Sequence, residues 1–222
     1  MRQASNAVLV QALRAPDGEV RGLAAEVLIE RREPSSVQPV GDLLHDSDAS
    51  VREIAARTLG QMGLPTGATP LVGALDDPDD GALHAIVQAA GLLKAQGATG
   101  GLIKALARQD VGVRTATAWA LGEIKATESV PTLLELLRDP RGAVRASAAK
   151  ALGAIRDRRA VAPLLEMLQD PFAEVRGLAA WALGELGDRR AVEPLMALQR
   201  DSDPTARRLA NEAIETIRRA SQ

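Results

Sequence analysis

The stretch Val144-Arg145-Ala146-Ser147-Ala148-Ala149-Lys150-Ala151-Leu152-Gly153-Ala154-Ile155 decides the fold. Its apolar residues recur at helical spacing and make one stripe along a helix: Val144, Ala148, Ala151, Leu152 and Ile155. A charged turn follows at 156–159, and the apolar segment 160–168 then predicts a second, shorter helix. Pro163 falls in the first turn of that helix, where a missing N–H costs least, and Asp170-Pro171 ends it. The local pattern therefore predicts a pair of helices.

This pair is one copy of a repeat that runs through the chain. The Val-Arg pair at 144–145 recurs, with two degenerate copies, at Val20-Arg21, Val51-Arg52, Leu83-His84, Val113-Arg114, Val175-Arg176 and Ala206-Arg207. The steps along the chain are 31, 32, 30, 31, 31 and 31 residues by subtraction of these positions. A lone helix pair cannot bury its apolar stripe, but stacked neighbours can. We therefore expect a single all-α solenoid of about seven helix pairs, at approximately 1–33, 34–64, 65–96, 97–126, 127–157, 158–188 and 189–222.

Composition narrows the class of protein. The 222 residues are 46% hydrophobic but only 1% aromatic, and the charged quarter of the chain is nearly balanced at a net charge of −2. A nucleic-acid binder usually has a basic excess, and so does a surface that binds anionic lipid, so neither partner is expected. The chain has no Cys, which excludes disulfides and thiolate chemistry. It also has no apolar run of membrane-spanning length, and we expect a cytoplasmic protein.

The segment from Trp181 to Leu195, WALGELGDRRAVEPL, resembles the short HEAT-like repeats of the phycobilin lyase family. Copies at Trp119–Ile124 and Ala151–Leu164 carry the same resemblance. It implies a right-handed α-α superhelix. For function it is less specific, because this repeat occurs in many unrelated proteins.

Aspartates precede the repeated arginines at a fixed distance of six residues. The pairs are Asp46 and Arg52, Asp139 and Arg145, Asp170 and Arg176, and Asp201 and Arg207. The resemblance to HEAT-like arrays implies a ladder in which each Asp bridges to Arg residues of neighbouring units; an anion site built from the repeated Arg is the functional alternative. We expect the ladder to break at Ala15, at Pro78/His84 and at Arg108.

The side of each second helix that is opposite its apolar stripe is the candidate partner surface, which in such solenoids lines the concave side. Trp119, Lys150 and Trp181 share one position of the repeat on that side. The same face includes Arg57, Thr115, Glu123 and Glu185, and small neighbours such as Gly177 leave room for a partner. Exposed Trp is typical of binding hot spots, but a Trp that covers the seam between helices is an equally good explanation. Both interpretations stay open at this point.

Catalytic residues are harder to assemble from this sequence. Its two histidines, His45 and His84, lie far apart in the N-terminal half, and neither is followed by Glu. We expect no catalytic residue, no metal site and no cofactor. The leading hypothesis is a non-catalytic scaffold that binds another protein on the concave surface. The alternative is a phycobilin lyase-like factor whose partner is a phycobiliprotein, with a bilin near Trp119 and Trp181; if the chain is an enzyme, this is the activity expected.

Overall fold

The computed structural model describes residues 4–220, which form 14 α-helices joined by turns and short 3-10 segments, with no strand among them. The predicted all-α fold class is confirmed for the described residues. The helices are α1 Asn6–Ala12, α2 Gly18–Arg31, α3 Val37–Asp42, α4 Ala49–Met62, α5 Ala68–Gly73, α6 Asp80–Leu92, α7 Thr99–Ala105, α8 Val111–Glu123, α9 Val130–Leu136, α10 Gly142–Ile155, α11 Val161–Met167, α12 Ala173–Leu186, α13 Val192–Leu198 and α14 Pro204–Arg219. None of these helices is long and apolar enough to cross a membrane.

The chain forms two compact units, one up to Ala120 and one from Leu121 onward. In the first unit the long even-numbered helices α2, α4 and α6 pack side by side. In the second unit α10, α12 and α14 do the same. The short odd-numbered helices cover one side of these layers, as α3 packs on α4 and α11 packs on α12. The core of each unit lies between the two layers and is mostly Leu, Ile, Val and Ala.

Local chemistry sets where the long helices begin and end. The carboxylates of Asp17, Asp48, Asp79 and Asp203 accept hydrogen bonds from first-turn amides of α2, α4, α6 and α14. These aspartates satisfy amides that have no partner within the helix. After α4 and α12 the chain turns through Gly63 and Gly187 with φ of 64° and 66°, where glycine carries no steric penalty.

Neighbouring long helices approach each other most closely where a glycine meets an alanine. A Cβ built on Gly153 would lie 2.7 Å from the Cα of Ala182, and one on Gly184 would lie 2.8 Å from the Cα of Ala213. Gly60, Gly91 and Gly122 face Ala89, Ala120 and Ala151 in the same way. The small residues are therefore needed because the helix backbones nearly touch.

These glycines correct the register that the sequence analysis gave to the third repeat. They stand at 60, 91, 122, 153 and 184, a constant step of 31. The landmark of the third repeat is therefore Ala82-Leu83, and the prediction of Leu83-His84, with steps of 32 and 30, was wrong by one residue. Asp79 caps the Ala82 amide at 2.9 Å, just as Asp203 caps the Ala206 amide at 2.8 Å, which supports the same alignment.

A methyl group added at a helix crossing should destabilise the fold. We expect Gly153→Ala to lower the free energy of unfolding by about 1–3 kcal/mol, because the new Cβ meets backbone that cannot move aside. Gly100→Ala is the matched control, since nothing lies within 4 Å of its Cβ position. Urea unfolding measures both variants, and an unchanged midpoint for Gly153→Ala would show that the crossing is looser than described.

Candidate partner-binding groove and the Arg–Asp ladder

Arg145 joins two successive repeats of the second unit. Its Nε and Nη2 donate to the two carboxylate oxygens of Asp170 at 2.7 and 2.9 Å, and its Nη1 donates to the backbone oxygen of Asp139 at 2.7 Å. Only 10% of the Arg145 side chain and 5% of the Asp170 side chain are exposed. The ring of Phe172 covers the guanidinium at 5.4 Å. A planar fork suits this task because it binds a carboxylate through two parallel hydrogen bonds.

The same link recurs in both units, and we call the series the Arg–Asp ladder. In each case an Arg binds a carboxylate 25 residues further along: Arg21 with Asp46, Arg52 with Asp77, Arg145 with Asp170, and Arg176 with Asp201. The pairs read from the sequence, six residues apart, meet instead through the backbone oxygen of the earlier residue. Arg52, Arg176 and Arg207 donate in this way to the carbonyl groups of Asp46, Asp170 and Asp201. These carboxylates already occupy the Arg forks, so the geometry favours the ladder over an anion site.

Two of the expected breaks are wrong in detail. Arg21 needs no Asp at position 15, because the carbonyl group of Ala15 accepts its Nη1 at 2.9 Å. At the second break, Asp77 and not Pro78 is the ladder residue, and it accepts the Arg52 fork.

The third repeat has lost its Arg, since Leu83 stands in that position. Arg108, which stands where the next repeat would have its Asp, reaches back and donates to the backbone oxygens of Asp77 at 3.1 Å and Pro78 at 2.8 Å. An Arg at position 83 would have bound those same two carbonyl groups by analogy with the other repeats. In the third repeat these two carbonyl groups therefore receive hydrogen bonds from an Arg at a different position of the repeat.

The ladder shifts the pKa of its carboxylates downwards. Burial alone would raise the pKa of Asp170, but hydrogen bonds from Arg145 and from the Phe172 amide outweigh it and lower that pKa below 3.8. At Asp201 the hydrogen bond from Arg176 is the largest cause of the lowered pKa.

These shifts predict acid sensitivity with a definite sign. A carboxylate whose pKa is lower in the folded state stabilises the fold above its unfolded value of 3.8, and this stabilisation is lost as the pH falls through the lowered folded value. We expect the urea midpoint to fall steeply on acidification below pH 3.8, and less steeply in Asp170→Asn. Equal acid dependence in the two proteins would contradict a stabilising role for this carboxylate.

An open groove lies between α12 and α14 in the second unit, with a volume of about 660 Å³. Trp181, Leu178 and Leu209 supply its apolar walls, and Gly177 lies between them. A Cβ on Gly177 would lie 3.1 Å from the Cδ1 of Leu209, so the missing side chain deepens the groove.

Both signs of charge line the rim of this groove. Lys150 is exposed and, within the described residues, has no ion pair. Arg208 forms an exposed ion pair with Glu212 at 2.7 Å. Glu174 is exposed, while Asp203 already caps α14. The groove can therefore accept an apolar side chain together with polar or charged neighbours.

Each tryptophan is half-buried, and the edge of each ring packs on a glycine of the preceding long helix. The Cζ3 of Trp181 lies 2.8 Å from the Cβ position of Gly153, and that of Trp119 lies 2.6 Å from the position at Gly91. This is the seam-covering arrangement. Trp181 also lines the groove. One part of its ring therefore covers the seam between α10 and α12, and another part faces the groove where a partner would bind.

The other predicted site residues take different roles. Thr115 is half-buried and its hydroxyl donates to the backbone oxygen of Gly112 at 2.9 Å. Arg57 is exposed and pairs with Glu53 on its own helix. Glu185 is half-buried and accepts hydrogen bonds from Arg156, whereas Glu123 is exposed. Arg57, Thr115 and Trp119 belong to the first unit, while Lys150 and Trp181 line one groove in the second.

The sequence analysis missed several lining residues, including Leu178, Leu209 and Glu174. The two leucines lie at the edge of the apolar stripe, where one helix alone gives no sign that they line a groove. The available signal was the segment Glu174-Val175-Arg176-Gly177-Leu178-Ala179-Ala180, which is repeated without change at 19–25.

The family model for HEAT repeats matches residues 6–91, 70–142, 99–174 and 161–221. The chain therefore belongs to the HEAT repeat family. A comparison with curated protein sequences gives no match.

Solved structures agree with this fold. The chain is similar to the complex of CpcE and CpcF of phycocyanin lyase from Nostoc sp. PCC7120, at 25% identity and a TM-score of 0.63, over 97% of this chain and 95% of that one. An engineered protein gives 23% identity and a TM-score of 0.69, over 96% and 68% of the two chains. A designed armadillo repeat protein in complex with the peptide (KR)4 gives 18% and 0.58, over 96% and 100%. The last two likenesses show the fold alone.

Proposed function

We propose that this chain is a non-catalytic scaffold that holds another protein on the exposed face of its long helices. The observation that carries the proposal is the groove between α12 and α14, which combines Trp181 and two leucines with an exposed Lys150. Its volume of about 660 Å³ is large enough for one or more partner side chains. A cytoplasmic location, and a partner that is neither nucleic acid nor membrane, are parts of this proposal.

The chemistry of the groove favours a protein partner. Trp is enriched at binding hot spots because it buries a large apolar area, and the polar rim around it excludes water from the contact. The mixed charges from Lys150, Arg208, Glu174 and Asp203 fit the varied side chains of a protein better than a uniform polyanion.

Variants that keep the fold test this proposal. Lys150→Glu reverses an exposed charge that has no ion pair with any described residue, and Gly177→Ala narrows the groove. Both variants should weaken capture of the native partner from the source cell, while the urea midpoint stays unchanged or rises. Lys104→Glu, an exposed lysine on α7, is the matched charge control. Undiminished capture by both groove variants would contradict the proposal.

Trp181→Ala separates packing from binding less cleanly. Since its ring packs on Gly153, we expect a loss of about 2–3 kcal/mol of stability, less than the full cost for a buried Trp. The effect of Trp181→Ala on partner capture is therefore interpreted only together with the results for Lys150→Glu and Gly177→Ala.

The second candidate is a phycobiliprotein-handling or phycobilin lyase-like factor. The favouring observation is the similarity to phycocyanin lyase along nearly the full length of both chains. In this case a bilin would rest against Trp181 or Trp119. Titration of the chain with a free bilin, followed by incubation with an apo-phycobiliprotein, tests it: a shift of the bilin absorption band that Trp181→Phe reduces supports this candidate, and no shift and no transfer removes it.

A further inference from the structure

A second groove lies in the first unit, between α2 and α4, with a volume of about 290 Å³. Leu23 projects into it with 46% of its surface exposed, although leucine is usually covered in a folded protein. Ile54 and Val51 form the opposite wall. The groove is therefore small and has apolar walls, and it lies on the exposed face of the long helices.

This groove is built like the one between α12 and α14. Its first wall is the segment 19–25, which is identical in sequence to 174–180. Asp48, Ser50 and Ile54 on α4 stand at the positions of Asp203, Thr205 and Leu209 on α14. Gly22, like Gly177, has no side chain that would fill the groove. A Cβ at Gly22 would lie 2.8 Å from the Cδ1 of Ile54.

The two grooves differ in charge. Glu26 stands where the other groove has Trp181, and Glu53 stands where it has Arg208. Glu53 is held by Arg57 and Asp48 caps α4, whereas Glu19 and Glu26 are exposed and have no ion pair with any described residue. None of the described residues that line this groove is Lys or Arg, and the nearest cation is the Arg21 guanidinium, which lies beside Gly18 and is held by Asp46. The two grooves therefore share an apolar lining, but the rim is acidic between α2 and α4 and has mixed charge between α12 and α14.

We propose that the groove between α2 and α4 binds a partner segment in which a bulky aliphatic side chain is flanked by Lys or Arg. The aliphatic side chain contacts Leu23 and Ile54, and the flanking cations pair with Glu19 and Glu26 at the rim. Lys and Arg suit such a rim because their stems cover apolar surface while their charged ends stay in water. The inference extends the proposed function to a second site, and it uses none of the residues of the first groove.

Methyl NMR of the full chain tests the proposal, with the Leu23 and Ile54 methyl signals as reporters. The probe is a short peptide with blocked ends and a Lys-Leu-Lys centre. We expect saturable shifts of both methyl groups, with no such shifts for the matched Glu-Leu-Glu and Lys-Gly-Lys peptides. Replacing Glu19 and Glu26 by Gln should raise the Kd by about twofold to fivefold per charge, because rim ion pairs are individually weak.

Gly22→Ala provides a variant that should keep its fold. The added methyl pushes the flexible end of Ile54 into the groove and favours the helix, so we expect weaker peptide binding, by about fivefold, with an unchanged or raised urea midpoint. Gly100→Ala is the control and should bind like the wild type.

Each outcome decides the proposal. Equal shifts with the Lys and Glu peptides, shifts confined to Leu178 and Leu209, or no shift at all would overturn it. Because the capture experiment uses Lys150 and Gly177 variants and this one uses Glu19, Glu26 and Gly22, either idea can fail while the other stands.

Discussion

The link between an Arg of one repeat and an Asp of the next is the interaction on which the rest of each unit depends. A helix pair with a largely Ala and Leu interior has few large side chains to fix its position against its neighbour. The Arg fork supplies that fixed position, because it holds a carboxylate of the next turn and a carbonyl group of its own turn together. In the third repeat Leu83 stands where the other repeats have Arg. Arg108 donates instead to the two backbone oxygens, of Asp77 and Pro78, that an Arg at that position would bind.

The close helix crossings follow from the same constraint. With the turns held in register, glycine at 153 or 184 meets alanine in the next helix, and the backbones approach within contact distance. The narrow spacing leaves little space inside the long-helix layer, so apolar residues at its edge are pushed to the surface. Leu23, Leu178 and Leu209 lie at the edge of this layer and line the two grooves. The two grooves therefore arise from the packing, and the residues that differ between them, Glu26 against Trp181 and Glu53 against Arg208, give them different charges.

The fold was predictable from the sequence because one pattern recurs in it seven times, so an error in one repeat leaves the others intact. The error at Leu83-His84 arose because the repeat was aligned on a polar landmark, whereas packing fixes the register at Gly91 and Ala120. Trp181 and Lys150 line one groove, and helical periodicity alone predicts that they project to the same side of the long helices. The lining residues Leu178 and Leu209 were not found, because a groove depends on two helices and their spacing, which no single-helix pattern contains. For the same reason the sequence could not show that Glu185 is held by Arg156.

A double-mutant cycle on Arg145 and Asp170 tests the central claim most directly. The free energy of unfolding is measured by urea for the wild type, for Arg145→Ala, for Asp170→Ala and for the double variant, and the coupling energy follows from the four values. A buried, bidentate, charge-assisted link predicts a coupling of about 1.5–3 kcal/mol. A coupling below about 0.5 kcal/mol, as for an exposed ion pair, would contradict the claim that the Arg–Asp ladder fixes the register of the repeats.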